Sequence, residues 1–227
     1  MACGFDSRLG HMAVQAVCFD LDGTLVDSEG DCADGIERAL QHIGRSLSAS
    51  ERDFVVGHGA GEILALLRRN GGVIWSDREF EEAVFAARKE LLAERGVTIL
   101  PGAREIVREL STRWPLALVT GSTRSEAELM LQALGLATCF PISLCAGEYP
   151  RGKPAPDAYL QAAAALGVGA AGCVAIEDST PGIAAARAAG MRVVAVRAGN
   201  RYGQDQSAAH HLLDTLLELP DLLAQLR

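Results

Sequence analysis

The chain predicts an α/β fold: a doubly wound, mostly parallel sheet of the Rossmann-like type with an inserted α-helical domain. Three observations carry this. Short apolar, β-branched runs alternate with helical stretches over most of the 227 residues, which calls for right-handed crossovers between parallel strands. Most of these runs are continuously apolar, as strands covered on both faces are. One stretch, from 28 to 96, holds helical patterns and no convincing strand.

Residues 1–12 lack the basic and apolar regions of a signal peptide, and Gly10-His11-Met12 reads as a cloning scar before a second start. They are expected to be an expression-derived leader outside the fold. Residues 14–20 (V-Q-A-V-C-F-D) form the first strand run and end in acid. Helical patterns follow at 36–43, 62–69 and 79–94, punctuated by Gly-rich breaks at 57–61 and 71–72. Strand runs return at 116–120 after Pro115, at 142–145, at 173–177 and at 193–196. Helices are expected at 103–113, 124–134, 156–166 and 181–189. The organisation is then an α/β core from 13–27 and 97–227, with a helical cap from 28–96.

Hydrophobic residues at 49% and charged residues at 22% mark an ordinary globular chain and exclude wholesale disorder. Aromatics at 5% and a net charge of −8 argue against base stacking and a phosphate-tracking surface, so no nucleic-acid partner is expected. No apolar run reaches about 18 residues, so no membrane span is expected. The six cysteines include no C-x-x-C pair, which removes zinc-ribbon and thioredoxin readings. Reduced, partly buried thiols in a cytoplasmic protein are expected. His210-His211 reads as an ordinary polar loop feature, and a monomer or weak dimer is expected.

Ligands of open α/β sheets bind beyond the carboxyl ends of the strands. The strand ends here carry Asp20-Leu21-Asp22-Gly23-Thr24, Thr120-Gly121-Ser122, Gly152-Lys153-Pro154 and Glu177-Asp178-Ser179. Four carboxylates, a lysine and several hydroxyls would converge on one crevice. Gathered carboxylates repel one another unless a cation neutralises them, and a hard divalent ion such as Mg²⁺ is the economical answer. In extended chain Asp20 and Asp22 would point to the same side, about 6–7 Å apart, with room for a phosphoryl group between them. One carboxylate could attack phosphorus while the other protonates the leaving oxygen. An EF-hand loop does not fit, since its sixth position would be Leu25 and its twelfth Asp31.

Thr123 with Glu126 makes a capping box, so a helix N-terminus would present free N–H groups beside the Thr120 hydroxyl. Gly147-x-x-x-x-Gly152-Lys153 resembles a Walker A loop but fails at Pro154, which has neither hydroxyl nor N–H. Lys153 is one of two lysines in the chain. It lies between two strand runs, where it can reach the crevice.

The segments F-D-L-D-G-T-L-V-D-S-E, L-V-T-G-S, G-K-P-A-P-D-A-Y and A-I-E-D-S-T-P-G-I-A-A-A-R-A-A-G, in this order, resemble the four motifs of the haloacid-dehalogenase superfamily. The branch with a small helical cap is most similar. It holds phosphoglycolate phosphatases, sugar-phosphate phosphatases and β-phosphoglucomutases. The resemblance implies that Asp20 is the nucleophile, Asp22 the general acid and base, and that Thr120 and Lys153 hold phosphoryl oxygens. It places Mg²⁺ on Asp20, the Asp22 carbonyl and Asp178, with Glu177 beside them. Gly23, Gly121, Ser122, Arg124 and His58 complete the candidate phosphate- and substrate-binding set.

Within that resemblance Asp22 speaks against a dehalogenase, which lacks a second aspartate, and Lys89 is the only cap lysine available for phosphonatase chemistry. A mutase would carry a cap histidine where Cys32 stands and a cap arginine where Ala60 stands. The expectation is therefore an Mg²⁺-dependent phosphatase acting on a small phosphorylated metabolite, with a phosphosugar mutase as the alternative. A non-catalytic binding protein on this fold would predict broken motif positions, and none is broken. Substrate choice is expected to lie in the cap, joined to the core near 27–29 and 97–102.

Overall fold

A computed structural model describes residues 13–27, 29–55, 58–200 and 203–226. The leader read at 1–12, together with Ser28 and Gly57, lies outside them. The chain divides into two compact units, Met1–Asp27 with Thr98–Arg227, and Ser28–Val97.

The larger unit holds six parallel strands: β1 (Ala16–Phe19), β2 (Leu116–Val119), β3 (Ile142–Leu144), β4 (Cys173–Glu177), β5 (Arg192–Val196) and β6 (His211–Leu213). Their order is β3-β2-β1-β4-β5-β6. β1 is central, flanked by β2 at Val17↔Leu116 and by β4 at Ala16↔Cys173. The order reverses there, which opens a crevice at the carboxyl ends of β1, β2 and β4. β1, β2, β4 and β5 are buried along their whole length, as continuous apolar runs require.

Among the described residues, five α-helices belong to this unit. α5 (Ala103–Ser111) buries Ala103, Ile106, Val107 and Leu110, one stripe at helical spacing. α6 (Arg124–Leu134) starts at the anticipated capping box, where Thr123 accepts from Glu126 N, and ends at left-handed Gly135. α7 (Asp157–Ala165) and α8 (Thr180–Ala188) follow, α8 with Ser179 as N-cap and a proline in its first turn. α9 (Leu219–Gln225) closes the chain. No helix among the described residues is long and apolar enough to cross a membrane. Cys18, Cys139, Cys145 and Cys173 form no disulfide.

The smaller unit is helical: α1 (Glu29–Gln41), α2 (Ala49–Val55), α3 (Ala60–Asn70) and α4 (Asp77–Arg95). Ile36, Leu40, Ile63, Leu64, Leu67 and Phe80 form its core. At the base of this insertion Asp27 N donates to the Thr98 carbonyl at 2.9 Å and Leu100 N to the Leu25 carbonyl at 3.1 Å. The larger unit thus closes the insertion with a short pairing of its own two segments.

Three elements escape the apolar pattern. α2 (A-S-E-R-D-F-V) has two buried residues, and one is Glu51. β6 is three residues long with only its last residue buried, and His211 opens it. The reading of His210-His211 as a loop feature is therefore corrected. α9 starts with Leu219-Pro220 on the heels of a 3-10 turn. The first strand is also shorter than its run, because the chain turns once it reaches Asp20.

Glu51 is 3% exposed and accepts from Arg45 Nη2 at 2.5 Å, Asn70 Nδ2 at 2.8 Å and Ser48 N at 2.9 Å. Burial pushes its carboxyl up, but these donors outweigh it and hold the group down at about 2. A folded value below the unfolded one, about 4.3, stabilises the protein above that pH and loses the effect as pH falls toward 2. Glu51→Gln should therefore lower stability at pH 7 by about 2–4 kcal/mol in urea unfolding, since it strands Arg45. The gap to wild type should narrow as pH falls from about 5 to about 2. A gap independent of pH would show that the carboxylate charge is not what holds α2.

Candidate active site at the carboxyl ends of the central strands

Each polar group of the crevice is placed by the end of a buried strand. Asp20 follows β1, and its N–H continues the ladder to the Ile176 carbonyl at 3.0 Å. Thr120 follows β2, with its N–H on the Leu144 carbonyl at 3.0 Å. Glu177 ends β4 and Asp178 follows it. Asp20, Thr120, Glu177 and Asp178 are all buried.

Lys153 reaches the crevice from the segment between β3 and α7. Its ammonium donates to Asp20 Oδ1 at 2.5 Å, Glu177 Oε1 at 2.6 Å and the Val119 carbonyl at 3.0 Å. Three donors thus meet three acceptors. Tyr159 of α7 adds its hydroxyl to Glu177 Oε1 at 2.7 Å, and its ring centroid lies 5.4 Å from the Lys153 nitrogen. The other Glu177 oxygen accepts from Ser179 Oγ at 3.1 Å. Burial tends to lower the Lys153 value, but Asp20 and Glu177 outweigh it and keep the ammonium above its usual range.

Asp20, Glu177 and Asp178 each bring a carboxylate oxygen within 4.8 Å of the others'. Burial pushes the Asp20 carboxyl up, Lys153 pulls it back, and Glu177, Asp178 and Asp22 push it further. One ammonium among three buried carboxylates leaves negative charge uncompensated. Hard oxygen donors gathered this closely fit a divalent cation.

Asp22 sits beside this group and faces the other strand end. Its Oδ2 accepts from Ser122 Oγ at 2.6 Å and from Thr120 Oγ1 at 3.2 Å. The Ser122 N–H donates to Thr120 Oγ1 at 3.0 Å. A cavity of about 720 Å³ is lined by Asp20, Asp22, Gly121, Lys153, Tyr149 and Ser179. The Tyr149 hydroxyl donates to the Thr120 carbonyl at 2.9 Å.

Two candidates depart from expectation, Gly23 and Arg124, while His58 stands in the helical unit as expected. Gly23 was expected on the phosphate, yet its N–H donates to the Val26 carbonyl at 2.7 Å. Its role is the turn itself: φ is +79°, and a Cβ there would run into the Asp178 carboxylate. Arg124 was expected to meet an anionic substrate group. Its guanidinium instead forks onto Glu148 at 2.9 and 2.7 Å and onto the Ser143 carbonyl at 2.7 Å. His58 lies in the helical unit, stacked on Phe54 at 3.8 Å, with Nδ1 2.6 Å from the Phe54 carbonyl. Sequence reading missed Tyr159, Tyr149 and Gln206. The tyrosines stood in view within G-K-P-A-P-D-A-Y and beside Gly152, but nothing in the spacing says where a hydroxyl will point.

A family profile described as haloacid dehalogenase-like hydrolase matches residues 14–190. The chain is 33% identical to a phosphoglycolate phosphatase of Neisseria meningitidis over 193 residues, 82% of this chain and 81% of that protein. It is 34% identical to the fructose-1-phosphate phosphatase YqaB of Escherichia coli over 180 residues, 79% of this chain and 94% of that protein. The crystal structure of CbbY from Rhodobacter sphaeroides in complex with phosphate superposes with a TM-score of 0.79 at 25% identity. That match covers 91% of this chain and 96% of the other.

Lys153→Met should strand Asp20 and Glu177 as buried, unpaired carboxylates. At pH 7 in chelator the variant should lose about 3–5 kcal/mol of stability in urea unfolding. A loss below about 1 kcal/mol, the scale of an exposed pair, would show that the ammonium does not hold the carboxylates together.

Proposed function

The chain belongs to the haloacid dehalogenase-like hydrolases, and from that premise we propose that it hydrolyses a small phosphomonoester through a phosphorylated Asp20. The observation that carries this reading is the Lys153 ammonium shared by Asp20 and Glu177 in a buried group of three carboxylates. The relatives named above act, by their names, on phosphoglycolate and fructose 1-phosphate. A sugar phosphate, sugar-acid phosphate or phosphoglycolate is the substrate class proposed here.

In the first step an Asp20 carboxylate oxygen attacks phosphorus and the bond from phosphorus to the leaving oxygen breaks. Asp22 gives that oxygen its proton, so the alcohol leaves neutral. In the second step water attacks the same phosphorus, Asp22 takes the proton, and the bond to Asp20 breaks to release phosphate. Lys153 holds phosphoryl oxygens with a charge-assisted hydrogen bond, strengthened by its dry surroundings. Thr120 and Ser122 orient Asp22 through their hydroxyls and, with Gly121, face the phosphoryl group.

Asp20, Asp178 and the Asp22 carbonyl, with Glu177 alongside, would hold Mg²⁺. Bound there, it supplies positive charge to the phosphoryl oxygens. The cap positions read as diagnostic for a mutase are Cys32 and Ala60, neither of which can supply the bidentate contact an arginine gives a second phosphate. This favours hydrolysis over phosphoryl return.

With p-nitrophenyl phosphate, Asp20→Asn should fold as wild type and lose about a thousandfold or more in kcat. Retention of more than a few per cent of activity would exclude Asp20 as nucleophile. Chelator should abolish turnover and Mg²⁺ restore it. Ca²⁺ should not, because it prefers a looser and higher coordination. Full activity in chelator would end the metal assignment. A panel of phosphoglycolate, fructose 1-phosphate and hexitol phosphates, read as kcat/KM, should identify a preferred ester. Isomerisation of a hexose 1-phosphate without phosphate release would establish the mutase instead.

A further inference from the structure

The ladder between β4 and β5 stops at the pair Glu177↔Ala195. One residue further on, the Asp178 carbonyl follows β4 and the Val196 carbonyl ends β5. Both accept from one donor, the side-chain amide nitrogen of Gln206, at 2.7 and 2.9 Å. Two carbonyl oxygens at these distances require the NH₂ end of the amide, so the orientation is fixed by chemistry. Gln206 is 7% exposed. Its amide stands where a further backbone N–H would stand and carries the tie between the strands one residue beyond the sheet.

We infer that Gln206 is a positioning residue that holds the Asp178 peptide and thereby keeps the Asp178 carboxylate in the acidic group. This rests on the reading that the group takes a divalent cation. Asp178 stands between the last residue of β4 and the Ser179 N-cap of α8. Its carboxylate faces two others, and repulsion favours any rotation that swings it away. A peptide pinned at its carbonyl fixes the Cα from which the carboxylate extends, and the buried Thr24 hydroxyl, 3.4 Å from Asp178 Oδ1, limits rotation of the side chain itself. Gln206 is not among the residues lining the cavity of Asp20 and Lys153. It acts through Asp178 and not by touching substrate.

The described residues around Gln206 are themselves tied down. Asn200 Oδ1 accepts from Gln204 N at 2.7 Å, and Asn200 Nδ2 donates to the Gln204 carbonyl at 2.8 Å. Gln204 Oε1 accepts from Thr180 N at 2.9 Å, and the Thr180 hydroxyl donates to the Asp205 carbonyl at 2.9 Å. Earlier in the loop, a Cβ on Gly199 would collide with the Gly23 carbonyl. Gly199 therefore lies against the turn that carries Asp22, and Gln206 pins the strand end that carries Asp178.

The test is Mn²⁺ binding to the full chain, measured by calorimetry and by the loss of free-ion EPR signal, for wild type, Gln206→Met and Gln206→Asn. Gln206→Met keeps the volume and removes the donor. It should weaken Mn²⁺ about tenfold, the lower end of what outer partners of metal ligands contribute and about 1.4 kcal/mol. Gln206→Asn keeps an amide on a shorter stem and should lose less. At saturating Mg²⁺ the KM for p-nitrophenyl phosphate should stay within about twofold, a split that general loosening would not give. Unchanged Mn²⁺ affinity in both variants, with wild type binding, overturns the inference and leaves the metal reading standing. No Mn²⁺ binding by wild type overturns both. If Gln206→Met does not fold, the Gln206→Asn affinity decides by the same criterion.

Discussion

A buried ammonium decides how closely the carboxylates at the end of this sheet approach one another. Unit charges a few ångströms apart interact by several kcal/mol once water is excluded. Lys153 answers two of the three carboxylates directly and fills its third donor with the Val119 carbonyl, so it also stitches the end of β2 to those of β1 and β4. Tyr159 shares Glu177 Oε1 with the lysine, Ser179 donates to the other Glu177 oxygen, and Gln206 holds the Asp178 carbonyl. A buried polar network is an asset only when every member is partnered. Around Asp20 and Glu177 the partners come from the Lys153 segment, α7 and the N-cap of α8, which makes the site and the sheet topology one structural problem.

That topology follows from simple requirements. A strand buried on both faces needs helices on both sides and parallel neighbours. β1 obtains them by accepting β2 on one edge and β4 on the other. The reversal of strand order is what leaves its carboxyl end uncovered by a crossover, and polar residues collect there. Gly23 meets the complementary demand: the chain must turn at once after β1 while the Asp178 carboxylate occupies the space a side chain would need.

Much of this was legible in the residues. Apolar runs found five of six strands, and the Thr123–Glu126 box found α6 to the residue. Acids at strand ends found the crevice, since strand direction fixes which end they occupy. What escaped was either weakly patterned or held by polar contacts. α2 buries a glutamate, which no hydrophobic period reports. β6 is an edge of three residues. Arg124 read as a contact for an anionic substrate group because Glu148 is distant in sequence, and charge pairing across a fold leaves no local mark. Gly23 read as a phosphate contact because a turn glycine and a ligand-contacting glycine look alike in sequence. Tyr159 and Gln206 act through single hydrogen bonds, whose direction depends on the fold being complete.

The placement of β1 also sets a temporal order. This central strand is made first, yet its neighbours start at Leu116 and Cys173, after the helical insertion and two crossovers. The insertion pairs chiefly its first helix, α1, with its last, α4, and can close once residue 95 is made, whereas the parallel pairing of β1 must wait for longer loops to close. During synthesis at about 5–20 residues per second, β1 stays without its second partner for on the order of ten seconds. Until residue 153 is made, the A-V-C-F run and the acids behind it have no Lys153 to meet. A nascent chain of this protein therefore carries an apolar strand with one edge open until β4 is made. It gains the complete acidic group only as its last third emerges.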